Sequence, residues 1–257
     1  MTFRRLQPRK RPSMDDFISL DGEALQFEGK CALVTSTANE TGLQVADMLV
    51  KAGATVYLVN RDQRECSMQV EALRRSGKAK GYAVNLQDPS TLSHFSHLLN
   101  EEVSKLHILV SVERLARIAQ SSSSDFTVRE REQLHGELDL IQELVPSLHA
   151  GSTAVDPARV ILIGDFAGLR LPQVPLRQGT SPVTDSSTAT EIAQQFVEHR
   201  INLNFVDLGP PCIAAGASHT SPLLACVRHL TSIRAAHTRG EVQRVAPAGY
   251  GDSDGLA

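Results

Sequence analysis

Lys30-Cys31-Ala32-Leu33-Val34-Thr35 is the stretch whose reading decides the fold. Its unbroken apolar centre reads as a strand buried on both faces, because a strand with one wet face would alternate. A turn follows, and then Leu43, Ala46, Leu49 and Val50 recur at helical spacing. Lys51-Ala52-Gly53 closes that helix with a cation near its negative end and a glycine beyond it. Thr55 to Val59 is a second apolar strand, so the segment reads strand, turn, helix, strand.

The alternation continues outward. A polar helix from Arg61 to about Arg75 leads through Ser76-Gly77 to a third strand, Gly81 to Val84. Asp88-Pro89 is a capping acid before a proline at the first helical position, and Leu92, Phe95, Leu99 and Val103 form one apolar face on the helix it opens. His94 and His97 lie off that face with no third ligand nearby, and read as solvated side chains. Leu106 to Val112 is the fourth strand and Ser121 to Ser124 a loop. Leu134 to Leu148 is a long helix ending at Val145-Pro146-Ser147-Leu148, and Arg159 to Ile163 is the fifth strand. A helix over Ile192 to His199 and a strand over Ile201 to Val206 complete the pattern. This predicts a single-domain α/β protein with a Rossmann-like, doubly wound parallel sheet spanning residues 27–211. Residues 1–26 read as a basic arm. Residues 212–257, rich in Ala, Gly, Ser and His, read as an irregular segment with a disordered tail after about Arg244.

At 257 residues, 41% hydrophobic, the chain suits one substantial core. A net charge of −3 supplies no basic field for phosphate backbones, so nucleic acid is not an expected partner. Cys31, Cys66, Cys212 and Cys226 are scattered without metal-site or disulfide-framework spacing, which fits a reducing compartment. No apolar run approaches the roughly 20 residues that span a bilayer. Arg4, Arg5, Arg9, Lys10 and Arg11 precede any acid and resemble a mitochondrial leader, although Pro8 and Pro12 oppose a long helix there. The expected location is intracellular, mitochondrial or cytoplasmic.

Taken together, Phe27 to Thr35, Gly53 to Asp62, Asp156 to Ile163 and Ile201 to Pro210 resemble, in order and spacing, a short-chain dehydrogenase/reductase, nearest the retinol-dehydrogenase-like branch. That resemblance implies a dinucleotide held by T-G-x-x-x-G-x-G after the first strand, where glycines let the backbone approach a pyrophosphate at a helix N-terminus. Here the segment is Thr35-Ser36-Thr37-Ala38-Asn39-Glu40-Thr41-Gly42, in which only the last glycine remains. Two unit charges about 4 Å apart repel by about 4 kcal/mol at an effective dielectric of about 20, so a carboxylate in the pyrophosphate position would oppose binding strongly. Either Glu40 caps the helix and fills that position, or it turns to solvent and the loop rearranges. Elsewhere Asn60 and Arg61 match the pattern of relatives that take the 2′-phosphate, and Asn85 stands where the family places an adenine-contacting Asp. The N-N-A-G turn has become Ser111-Val112-Glu113-Arg114. The expected cofactor is none, or NADP if any binds.

The resemblance also implies a tyrosine with a lysine four residues on, a serine and an asparagine. Tyrosines occur at 57, 82 and 250 only, and none begins Y-x-x-x-K; the last lysine is Lys105. The serine position holds Asp165 and the helix asparagine position Gln133. From this the chain is expected to be a catalytically inactive structural or regulatory subunit bound to other proteins of a larger assembly, rather than an enzyme. Two alternatives remain open: an NADP(H)-binding sensor without turnover, and an NAD(P)-dependent oxidoreductase with rearranged catalytic groups.

Overall fold

The structure is a computed structural model that describes residues 26–35, 37, 40–112, 123–164, 185–207, 220–232 and 235–245; side chains are described except at 123–135, 185–188, 220–222 and 244. Seven strands form one sheet: β1 (Cys31–Thr35), β2 (Thr55–Asn60), β3 (Lys78–Ala83), β4 (Ile108–Val112), β5 (Ala158–Gly164), β6 (Ile201–Asp207) and β7 (Val242–Arg244). Their spatial order is β3-β2-β1-β4-β5-β6-β7. Every pairing is parallel. The helices are α1 (Glu40–Lys51), α2 (Gln63–Arg74), α3 (Pro89–Glu102), α4 (Ser123–Gly151), α5 (Asp185–Gln194) and α6 (Thr220–Thr231). The doubly wound α/β fold expected from the alternation is therefore the fold observed.

Period-two alternation sorts each strand between two cores. Ala32, Val34, Val56, Leu58, Val110, Ile161 and Ile163 face one way and meet Val45 and Leu49 of α1, Val70 and Leu73 of α2, and Val227 and Leu230 of α6. Leu33, Val59, Leu109, Val160, Leu162 and Phe205 face the other and meet Phe95 and Leu99 of α3, Leu140, Leu144 and Leu148 of α4, and Ile192 of α5. Full burial of each such side chain stabilises the fold by roughly 1.5–3 kcal/mol before entropy is charged against it. Wet on neither face, the central strands carry the near-continuous apolar runs that made them readable.

The amino ends of β1 and β5 are strapped together. Lys30 Nζ donates to Asp156 Oδ2 at 2.7 Å, and Arg159 Nη1 to Asp156 Oδ1 at 2.6 Å. Arg159, whose side chain is 5% exposed, also donates through Nε to the Ser232 carbonyl after α6. Between them His107 Nδ1 accepts from the Cys31 amide at 3.1 Å, so its proton sits on Nε2. Burial, with Lys30 beside it, holds His107 down to about 4.

Three expectations need correction. Residues 212–257 are not irregular throughout: among the described residues they supply α6 and β7, and the sheet extends past residue 211. α4 begins by Ser123, inside the stretch expected as a loop, and runs through Pro146 to Gly151. A proline forfeits one helical donor, and tertiary packing of Leu140, Leu144 and Leu148 outweighs that loss. The helix expected over Ile192 to His199 is instead α5 followed by a 3-10 turn at Val197–His199. The N-terminal arm and the tail lie outside the described residues. No described helix is long and apolar enough to cross a membrane.

Candidate functional site

Strand order reverses between β1 and β4: β2 and β3 lie to one side of β1, and β4 to β7 run away on the other. The crossovers must part there, leaving a crevice outside the strands' carboxyl ends, which is where open α/β sheets hold ligands. Three groups of side chains meet at this rim.

The first lies at the end of β1 and β4. Thr35 and Ser111 are register partners, and their hydroxyl oxygens are 2.7 Å apart in a buried hydrogen bond. Ser111 Oγ is in turn 2.5 Å from Oε2 of Glu137, a partly buried residue of α4. Desolvation pushes the Glu137 carboxyl up to about 7, with the Ser111 bond acting against it. This places a carboxyl at the rim that exchanges its proton near neutrality.

The second group fastens the turn after β1 to the end of β2. Thr37 Oγ1 donates to Gln69 Oε1 at 2.8 Å, with the Val59 carbonyl a second acceptor at 3.2 Å. Gln69 Nε2 returns a bond to the Thr37 carbonyl at 2.7 Å, and Asn60 Nδ2 donates to Gln69 Oε1 at 3.3 Å. Asn60 Oδ1 accepts from the Asp62 amide at 2.9 Å, and Asp62 caps α2 by accepting from the Glu65 amide. Asn60 is thus buried and committed to holding the loop, rather than facing a nucleotide.

The third group is the open one. Arg61 is exposed at the exit of β2, and no carboxylate lies within ion-pair distance of it among the described residues. Asn85 is half-buried after β3. Its carbonyl accepts from Thr91 Oγ1, and its side-chain oxygen from the Gln87 amide at 3.4 Å. Its carboxamide N–H groups have no partner among the described residues. Glu40 opens α1, yet its carboxylate is exposed and accepts from Gln44 Nε2, one turn onward, at 2.9 Å. Of the two dispositions open to Glu40, the structure shows the solvent-facing one.

Gly42 lies buried in the first turn of α1. Ser36 and Asp165 fall outside the described residues, as does the side chain of Gln133. The residues that sequence reasoning passed over are Thr37, Gln69 and Glu137. Only Glu137 left a trace, standing four residues after Gln133 and so on the same face of α4. Tested against a phosphorylated nucleotide, the rim fits at its adenosine end: among the described residues it offers a guanidinium without a counter-ion, carboxamide N–H groups without an acceptor, and a helix N-terminus whose acid is turned aside. His94 and His97 are exposed on α3, and no group of three or more His, Cys, Asp or Glu that could hold a metal occurs among the described residues.

Comparison with known proteins adds to this geometry. The profile of the short chain dehydrogenase family matches residues 30–210. A curated relative, the rhamnolipids biosynthesis 3-oxoacyl-[acyl-carrier-protein] reductase of Pseudomonas aeruginosa, is 28% identical over 185 residues, covering 70% of this chain and 72% of that one. Two solved structures share the fold. The P. aeruginosa RhlG/NADP active-site complex superposes with a TM-score of 0.65 at 22% identity, covering 86% of this chain and 97% of that one. A hydroxysteroid dehydrogenase from Escherichia coli gives 0.69 at 19%, covering 88% and 98%.

These relatives overturn the expectation of a catalytically inactive structural or regulatory subunit, and with it the reading of the chain as a non-enzyme. They are reductases and dehydrogenases, and nothing among them points to a scaffold. That reading rested on the missing Y-x-x-x-K pair and on Asp165 and Gln133 at the serine and asparagine positions, of which Asp165 and the Gln133 side chain lie outside the described residues. The expectation of no cofactor finds no support in these comparisons either; the P. aeruginosa structure is itself an NADP complex.

Proposed function

The chain belongs to the short-chain dehydrogenase family, and on that premise we propose that it is an NADP(H)-dependent oxidoreductase acting on a carbonyl or alcohol, with proton-handling groups other than the family's tyrosine and lysine. The observation that carries this reading is the disposition of Glu40. Its carboxylate is exposed and drawn along the flank of α1 by Gln44, so the repulsion it exerts on a pyrophosphate at the helix N-terminus is screened by solvent and weaker than that of an acid filling the phosphate position.

Arg61 would meet the 2′-phosphate, Asn85 would donate to the adenine, and the first turn of α1, ending in Gly42, would take the pyrophosphate. Thr37 and Gln69 hold the turn to β2 and keep its shape without touching the ligand. When bound, the nucleotide supplies or accepts a hydride at the reacting carbon. The chain's own residues must hold the carbonyl and move a proton to or from its oxygen. The substrate class follows the relatives in part: 3-oxoacyl thioesters and hydroxysteroids, to which the retinol-dehydrogenase-like resemblance adds retinoids.

Titrating the protein into NADPH and NADH, and following the nucleotide's own fluorescence, is clean here because the chain contains no tryptophan. NADPH is expected to bind more tightly than NADH, and to be consumed with at least one of a panel of 3-oxoacyl thioesters, oxosteroids and retinals. Failure of both nucleotides to bind would refute the proposal.

A further inference from the structure

Met68, on the outer face of α2, is 65% exposed, more than any other large apolar side chain on a described helix. Ala72 is exposed one turn further on, and Ser67, Glu71 and Arg75 complete the lining of a shallow open groove along that face. The inner face of α2 is already spent on the sheet through Cys66, Val70 and Leu73, so its packing asks for no apolar residue at position 68. Where α2 gives way to β3, Arg74, Arg75 and Lys78 are exposed. No carboxylate lies within ion-pair distance of these three among the described residues. The groove is therefore apolar along its length and basic at one end.

The chain enters the fold beside that basic end. The Phe27 amide donates to the Ala52 carbonyl at the close of α1, at 2.8 Å. A Cβ added at Gly77, just past α2, would lie 2.8 Å from Val50 Cγ1, so the ends of α1 and α2 abut. Leu20 stands six residues before Gln26, a reach of up to about 20 Å when extended. The helical path from Arg75 back to Ser67 is shorter, about 12 Å. We propose that residues 13–25 dock on this face of α2, covering Met68 and Ala72 with the apolar run Phe17-Ile18-Ser19-Leu20 and setting their acids against Arg74, Arg75 and Lys78. Charge selects that segment. It carries Asp15, Asp16, Asp21 and Glu23 and no lysine or arginine, whereas residues 1–11 carry five bases that the same cations repel. A tether this short holds the segment at an effective concentration in the millimolar range, so a contact too weak to form between separate molecules is populated within one.

The test replaces Met68 in the full chain with the photoreactive residue p-benzoylphenylalanine and reads the adducts by gel and by peptide mass spectrometry. The expected adduct migrates as a single chain and joins position 68 to residues 13–25. Adducts that join two chains would make this face a meeting surface for copies of the protein and overturn the proposal, as would adducts to any other part of the same chain, or none. A second measurement leaves Met68 in place and follows its oxidation by hydrogen peroxide, which a covering segment slows. Phe17→Ser combined with Ile18→Ser is expected to speed Met68 oxidation about threefold or more, and Arg75→Glu to act in the same direction. Met48, partly buried on α1, is the internal reference whose rate stays constant. Equal Met68 rates in the wild type and the Phe17→Ser, Ile18→Ser protein overturn the proposal.

Discussion

Gly136 and Gly151 lie on the same helix, and the same substitution at each should move stability in opposite directions. At Gly151, in the last turn of α4, an added Cβ would sit 2.1 Å from the Leu106 carbonyl oxygen, 2.6 Å from its carbon and 3.1 Å from its nitrogen. All three are backbone atoms that cannot rotate away. Leu106 is further held by its amide bond to the Ser147 carbonyl at 2.9 Å, and His107 by its bond to the Cys31 carbonyl at 2.9 Å. Relief therefore requires α4 to lift off β4, and the cost lies at the upper end of the overpacking range, about 3 kcal/mol. For a domain of this size that lowers Tm by about 6–12 °C. At Gly136 the Cβ meets nothing closer than the Leu86 carbonyl at 3.8 Å, an ordinary contact. There alanine reduces the freedom of the unfolded chain and should stabilise by about 0.5–1 kcal/mol. Thermal melts followed by circular dichroism, with urea titrations to recover free energies, distinguish the two. A Gly151→Ala protein as stable as the wild type would refute the close packing of α4 on the entry to β4, and with it the placement of Glu137.

Other perturbations probe the rim and the strap. Arg61→Ala should weaken NADPH binding about 10–100-fold and leave NADH nearly unchanged, since one charge-assisted phosphate contact contributes about 1.5–3 kcal/mol; equal losses for both would show that Arg61 does not read the 2′-phosphate. Gln69→Leu should cost about 1–3 kcal/mol by stranding Thr37 and Asn60, and should also loosen NADPH binding, both read by titration. Asp156→Asn leaves the buried Arg159 without its counter-charge, and a loss of about 3 kcal/mol is expected in urea. Desolvation raises the Asp156 carboxyl, but the bonds from Lys30 and Arg159 outweigh it and hold the group below 3.8. Its contribution is therefore present above that value and disappears as acid takes the pH through the lower folded value. His107, held down to about 4 from 6.5, acts in the same direction over pH 6.5 to 4: the unfolded chain takes the proton first, and stability falls with acid. Glu137 opposes it, because a carboxyl raised from 4.5 to about 7 costs stability as pH climbs through that interval. Glu137→Gln should consequently make stability rise more steeply between pH 4.5 and 6.5 than in the wild type, as measured by urea midpoints.

Much of the fold was legible because the central strands have no wet face. Lys30 to Thr35 and Arg159 to Ile163 announce themselves by runs that only a doubly covered sheet can hide. β7 left no such signal: Val242-Gln243-Arg244 is a three-residue edge strand with one apolar side chain, and nothing local distinguishes it from a turn. The early start of α4 was hidden by Ser123 and Ser124, residues that favour caps and loops locally and are overruled by what the rest of the helix packs against. At the rim the limits were those of direction. A sequence states that Glu40 replaces a glycine, but not that Gln44 draws its carboxylate aside. Likewise Asn60 reads, with Arg61, as part of a 2′-phosphate site until Gln69, nine positions on, is seen to occupy it. Glu137 left only its spacing from Gln133 as a signal, because a glutamate in a helix is ordinary and only three-dimensional contact with Ser111 makes it unusual.

The reversal of strand order has a consequence for how the molecule assembles. Thr37 and Val59, which join the first turn to β2, are 22 residues apart, whereas Thr35 and Ser111 are 76 apart. Closing the longer span costs about 1 kcal/mol more in chain entropy. The β1–β2–β3 half is thus the cheaper to nucleate, and β4 docks onto it as a later event. The cleft is the suture between the two halves, so a molecule lodged across it would clamp the last contacts to form and slow the first step of their undoing.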